Sequence, residues 1–276
     1  MKRTRRWMLL VGALAAVLAC GDPARAAGFE RDAALQARIA AVAQARSEEQ
    51  LATALAELGA ADRTKLVPQL ALFLLEAEGE RAGMAPAVIV SRLGISDGEI
   101  LRAVEPQLDA ADPALRAQLE NLLDAVALDE MRALLAERDA PTSVGLVRYL
   151  YRRAPREAVD VVRARDASLA TTSSARNGDA NDAHDDGAQD DAMLAVVEEA
   201  RRALAAGTLD DATRAQASNA LETLSRARDW RLRAYAAAIV AEQPQLTDDA
   251  AELRSRLAAD HDARVRAVVG DAARAR

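Results

Sequence analysis

Cysteine occurs once in the 276 residues, at Cys20, so no disulfide can form within one molecule. Histidine occurs twice. Neither His184 nor His261 has a histidine or cysteine partner at metal-ligand spacing. Lysine is confined to Lys2 and Lys65, and no S-x-x-K leads to Lys65, so serine–lysine chemistry has no footing. G-x-S-x-G, H-E-x-x-H and phosphate-loop patterns are missing too. Aromatic residues make up only 3% of the chain, and Trp230 is the only tryptophan beyond the first 30 residues. That composition gives little material for the aromatic platforms of a sugar-binding cleft. Carboxylates are plentiful, so a catalytic pair of acids is the one enzymatic arrangement the composition leaves open. The segment from Asp182 to Asp190 partly resembles a calcium loop. It has His184 at the third position, and Met193 stands where a bidentate glutamate is needed. No metal or cofactor is expected.

Strand-type alternation of Val, Ile, Thr and aromatics is hard to find, while Ala, Leu, Arg and Glu dominate. The chain is therefore expected to be all-α. No segment is long and apolar enough to span a bilayer, since the longest such run, Trp7 to Cys20, falls short of the roughly 20 residues a span needs.

That run follows a basic start, Met1-Lys-Arg-Thr-Arg-Arg6, and leads into small residues. The order is that of a secretory signal. Two cleavage sites fit. Val17-Leu-Ala-Cys20 resembles a bacterial lipobox, with Leu18 bulkier than usual at its position, and Ala24-Arg-Ala26 is an A-x-A site. A free thiol is a liability in an oxidising compartment, and lipidation of Cys20 would account for the one cysteine present. The protein is accordingly expected in the periplasm as a membrane-anchored lipoprotein, or as a soluble periplasmic or secreted protein if cleavage falls near Ala26. Thr4-Arg5-Arg6-Trp7-Met8-Leu9 also loosely resembles a twin-arginine signal.

The chain carries 36 basic and 43 acidic residues, and removal of the signal leaves it more acidic still. Such a body is a poor general binder of nucleic acid.

Helix signals recur along the chain. Leu35, Ile39 and Val42 share one face of a helix over 30–46. Ser47-Glu-Glu-Gln50 and Ser96-Asp-Gly-Glu99 are capping boxes, and Asp112-Pro113 is a cap followed by proline at the first helical position. A helix ending near Glu78 starts at Asp62 or nearer Leu66, because Pro68 suits a first turn. Gly79 and Gly83 bracket a break, and a short helix runs from Pro86 to Leu93. Further helices are expected at 129–137, 141–153, 156–165 and 193–206, with later starts at Thr208, Asp229, Thr247 and Asp262. Between Asp166 and Asp191 the composition turns to Ser, Thr, Asn, Gly and Asp. That stretch is expected to be a disordered acidic linker. It divides the mature chain into a helical-hairpin domain, 28–165, and a second helical domain, 192–276.

An internal period is visible. Asp229-Trp-Arg-Leu-Arg233-Ala matches Asp262-Ala-Arg-Val-Arg266-Ala at a spacing of 33 residues, and Asp112-Pro-Ala-Leu-Arg116-Ala is a third copy of D-x-x-[aliphatic]-R-A. Each copy sits at a helix start. The aspartate caps, the aliphatic residue faces inward, and the arginine can reach the neighbouring unit. Two helices cannot bury their apolar stripe alone, so such units stack. With Leu257-Ala-Ala-Asp260 ahead of the last copy, the pattern resembles HEAT-type repeats, most closely the short variety of phycobilin lyases. The resemblance covers roughly 100–127 and 210–276. Ala227 and Ala110 stand where Asp260 stands in the last copy, which weakens an inter-repeat Asp–Arg ladder at those two copies. Residues 30–95 read only as helical hairpins, HEAT-like or TPR-like, although TPR markers are missing.

The resemblance implies stacked helical hairpins, an α-solenoid, whose extended face binds a protein partner in the cell envelope without catalysis. Arg116, Trp230, Arg233, Tyr235 and Arg266 are the candidates for repeat packing or for lining the groove. The alternative is an envelope enzyme that uses paired carboxylates, for example on cell-wall glycan.

Overall fold

The computed structural model describes residues 31–109, 111–137, 142–174 and 186–270, with backbone alone at 167–174 and 186–188. These residues form fourteen α-helices, one 3-10 turn and no strand. The protein is all-α, built of stacked helical hairpins. It divides into two compact units, Met1–Leu134 and Leu135–Arg276.

In the first unit α1 (Ala33–Gln44), α2 (Glu48–Gly59), α3 (Arg63–Glu76), α4 (Glu80–Arg92), α5 (Asp97–Leu108) and α6 (Pro113–Asp124) follow one another through short turns. A seventh helix, α7 (Leu128–Ala136), crosses the unit boundary in its last turn. Short polar side chains start these helices by accepting otherwise unpaired N–H groups. Asp32 accepts from Ala34 and Leu35, Ser47 from Gln50, and Asp112 from Ala114 and Leu115. Ser96 and Glu99 make the full reciprocal box. At Ser47 the box is half made, because Gln50 takes the N–H of Arg46 instead. The middle of the unit is α3, which packs on α1, α4, α5 and α6. Its run from Leu66 to Leu72 is buried on every side.

One open alternative is resolved here, and one expectation changes. Asp62 caps α3, so the helix starts at Arg63 and Pro68 lies inside its second turn. The break before α4 is made by Gly79 alone, in a left-handed conformation at φ 85° that other residues avoid. Gly83 and Pro86 both lie within the resulting helix.

The second unit contains α8 (Val144–Arg153), α9 (Pro155–Ser174), α10 (Asp186–Ala205), α11 (Asp211–Ser225), α12 (Trp230–Glu242), the 3-10 turn Pro244–Leu246, α13 (Ala250–Ala258) and α14 (Ala263–Gly270). Consecutive hairpins stack α10 on α11, α11 on α12 and α13 on α14. At the centre lies α12, touched by α8, α9, α11, α13 and α14. Its nine residues from Leu232 to Val240 are all buried. Four of them are alanines, which let the surrounding helices approach closely. The early helix α8 also packs on α14. Of the segment 166–191, helical backbone occupies 166–174 and 186–191, and residues 175–185, with His184, lie outside the described residues. The end residues are paired: Asp166 with Arg231 at 3.0 Å, and Asp191 with Arg163 at 3.3 Å.

Candidate functional site

The three D-x-x-[aliphatic]-R-A copies adopt one local geometry. Asp112, Asp229 and Asp262 each accept the N–H two residues on. Leu115, Leu232 and Val265 are buried. The arginine then turns back onto the end of the preceding helix, where carbonyls lack intrahelical partners. Arg116 donates to the carbonyls of Leu108 at 3.1 Å and Ala111 at 2.9 Å. Arg233 donates to Ala227 and Arg228, both at 2.8 Å. Arg266 donates to Asp260 at 2.6 Å and His261 at 2.9 Å. Each arginine thereby closes its own hairpin.

Arg233 does more. Its Nε and Nη2 make a two-pronged bond to the Asp260 carboxylate, at 2.7 and 3.1 Å, across from the next hairpin. The Arg233 residue is only 5% exposed, and the Asp260 side chain 8%. Burial alone would raise the Asp260 carboxyl. The Arg233 guanidinium and the Asp262 N–H outweigh it and hold the group below its ordinary value. The Asp–Arg rung therefore exists between these two hairpins. Ala227 bears only on the hairpin before, since the acid comes from the following turn. His261 flanks this pair, 84% exposed, with Nδ1 3.4 Å from Asp260 and Nε2 3.2 Å from Arg233 Nη2. Arginine can only donate, so Nε2 is the accepting nitrogen.

On another side of α12 and α14 a polar and aromatic cluster gathers. Arg231 and Arg264 occupy matching positions, each folding back on its own cap: Arg231 Nε lies 2.7 Å from Asp229 and Arg264 Nη2 2.6 Å from Asp262. The Arg264 guanidinium stacks on Trp230, 3.6 Å from the ring centre. The bond from Arg264 holds the Asp262 carboxyl below its ordinary value. Trp230 meets Tyr151 of α8 at 6.4 Å between ring centres. Around them, Arg231 reaches Asp166, and Arg163 lies 3.8 Å from Asp229. Trp230, Arg231 and Arg264 are half-buried, so this row of helix starts reaches the surface. The Tyr151 hydroxyl is buried without a hydrogen-bond partner, and burial pushes its pKa far up.

Tyr235 lies inward from the row, fully buried. Its hydroxyl donates to Glu198 at 2.7 Å, and Glu198 in turn accepts from Arg201 at 2.8 Å. It packs and lines no groove. Of the five candidates, Trp230, Arg233, Tyr235 and Arg266 share the second unit, and Arg116 belongs to the first. Cys20 lies outside the described residues. Arg264, Arg231 and Tyr151 are not among the sequence candidates. The first two stood in the 33-residue match as the shared D-x-R, a usable signal. Tyr151 had none, because only the packing of α8 brings it to Trp230.

Among the described residues, no group of three His, Cys, Asp or Glu side chains could hold a metal ion. Nor is any helix among them long and apolar enough to cross a membrane.

The chain matches no family model, no curated protein and no solved structure.

Proposed function

We propose that this is an exported, lipid-anchored protein that binds a protein partner in the bacterial cell envelope, presenting a solenoid-like stack of helical hairpins as a rigid surface. One observation carries the reading. The half-buried row Trp230, Arg231 and Arg264 sits at the matching starts of α12 and α14, fixed by caps, stacking and ion pairs. Tryptophan, tyrosine and arginine dominate the energetic centres of protein interfaces, and side chains already held in place lose little freedom on binding. The surrounding charges are neutralised in pairs, which favours a protein surface of mixed charge over nucleic acid. Anchoring through Cys20 would hold this surface at the membrane. HEAT-like stacking supplies the scaffold in this reading.

The test is isolation of the tagged full-length protein from detergent-solubilised envelope, beside Arg264→Glu. The same protein partner should accompany the wild type and be depleted with the variant, at unchanged helix content by circular dichroism. If purified protein turns over cell-wall glycan and no partner depends on Arg264, the reading fails in favour of a carboxylate enzyme. Mass spectrometry of the mature N-terminus tests the anchor: an acylated Cys20 supports it, and a terminus at Ala27 removes it.

A further inference from the structure

The 33-residue register lays α12 on α14 residue for residue. Arg233 answers to Arg266, Ala234 to Ala267, and Ala237 to Gly270. On α12 this stripe is covered: Arg233, Ala234 and Ala237 are all buried. On α14, Ala263, Arg266 and Gly270 are exposed and Ala267 is half-buried. The two arginines are held alike. Each sends Nη1 to the two carbonyls five and six residues before it. That common anchor aims the rest of the guanidinium the same way. For Arg233 the remaining edge, Nε and Nη2, grips Asp260 in the turn of the next hairpin. For Arg266 no carboxylate among the described residues takes that edge. The covered face of α12 thus shows what the open face of α14 is shaped to accept.

We propose that the outward stripe of α14 is a docking face for a helical hairpin of a partner protein, whose inter-helix turn supplies an aspartate or glutamate to Nε and Nη2 of Arg266. Planar two-pronged pairing with a carboxylate is the strongest contact a guanidinium edge makes. The flanking Ala263, Ala267 and Gly270 leave room for a helix to approach, as Ala234 and Ala237 do on α12. The occupant is not a second copy of this chain. The turn positions equivalent to Asp260 in its other copies are Ala227 and Ala110, and Asp260 is already engaged by Arg233. Residues 264 and 266 are about 200° apart around a helix, so this face is separate from the Trp230–Arg264 row. The inference rests on the partner-binding reading and adds a second surface to it.

The test places the photocrosslinking residue p-benzoylphenylalanine at Ala263, at Gly270 and, beside the Trp230 row, at Arg228, in the full-length protein within intact envelope. Crosslinks from 263 and 270 should map to one peptide of another protein, with an acidic residue in the turn between two helices. Arg266→Glu should reduce them at least tenfold, and Arg266→Lys by less. The proposal is overturned if crosslinks from 263 and 270 are absent, survive Arg266→Glu, join two copies of this chain or its own tail, or map to a peptide without an acidic turn. Crosslinks from 228 that persist in those cases leave the general partner-binding reading standing. Their absence as well removes both.

Discussion

The two units stack hairpins by different means. Residues 31–134 hold ten basic and seventeen acidic side chains, and Phe73 as their one aromatic. Residues 135–276 hold twenty-one basic and twenty-four acidic, with all three tyrosines and Trp230. In the first unit α3 gathers its neighbours through aliphatic contact. Its polar ties include Gln36 to Gln69, Arg63 to the Leu93 carbonyl, and two ion pairs that lie at the surface, Arg31 with Glu76 and Arg92 with Glu48. In the second, arginine–aspartate pairs run between hairpins, and one of them is buried. Apolar contact is non-directional, so it stabilises a stack without fixing the offset between hairpins. A two-pronged ion pair tolerates a single offset. Arg233–Asp260 therefore sets register, at a desolvation cost that leaves its net stabilisation modest while making the loss of either partner expensive.

The sharpest way to break this contrast is Arg233→Ala. It strands the Asp260 carboxylate and two carbonyls, and should cost about 3–5 kcal/mol. Arg116→Ala, which frees half-buried carbonyls, should cost only about 1–2 kcal/mol. Urea unfolding followed by Trp230 fluorescence reads the first, and hydrogen exchange in α6 the second. Equal costs would erase the distinction. Leu115→Ala and Leu232→Ala should behave alike, each losing about 2–5 kcal/mol, because both side chains are buried in packed interiors. A large gap between them in calorimetry would place the difference in the apolar core instead.

Smaller effects test the second unit from within. Tyr235→Phe removes the bond to Glu198 and should cost about 1–2 kcal/mol. Tyr151→Phe removes a buried hydroxyl without a partner and should be neutral or slightly stabilising. Opposite signs in thermal unfolding are the expected result. The gentlest probe is acid. The folded Asp260 carboxyl titrates below its ordinary value of 3.8, so its contribution is complete above that value and fades as pH falls through the folded one. Wild type should exceed Asp260→Asn in stability at pH 6, and the two should converge well below pH 3.8. A gap that stays constant with pH would mean the carboxylate charge is not what Arg233 reads.

Much of this was legible in the residues. Caps at Ser47, Ser96, Asp112, Asp229 and Asp262 announced helix starts because capping is a local event, settled within three or four residues. Inward faces such as Leu35, Ile39 and Val42 followed from spacing alone. Of the two starts offered for α3, the one at Asp62 holds, because a cap there outweighs the preference of proline for a first turn. The segment 166–191 misled at its ends for a related reason: aspartates that look solvated in isolation find Arg163 and Arg231, which lie far away in sequence. The candidate site was half visible. The repeat pattern exposed Arg233 and Arg266, but the pairing of Arg233 with Asp260 and the stacking of Arg264 on Trp230 are tertiary facts.

One feature of α12 bears on how the chain is made. Its nine buried residues are covered partly by α8 and partly by α14, which are separated by more than a hundred residues of chain. In an open array of repeats every hairpin leans only on its neighbours, and capping repeats shield the two ends. Here the interior is closed by two helices from distant stretches of the chain. A chain stopped at 262 would leave the apolar flanks of α8 and α12 facing water. Such exposed apolar surface favours aggregation or proteolysis. The interior of the second unit is covered only when α8 and α14, distant in the chain, are both in place.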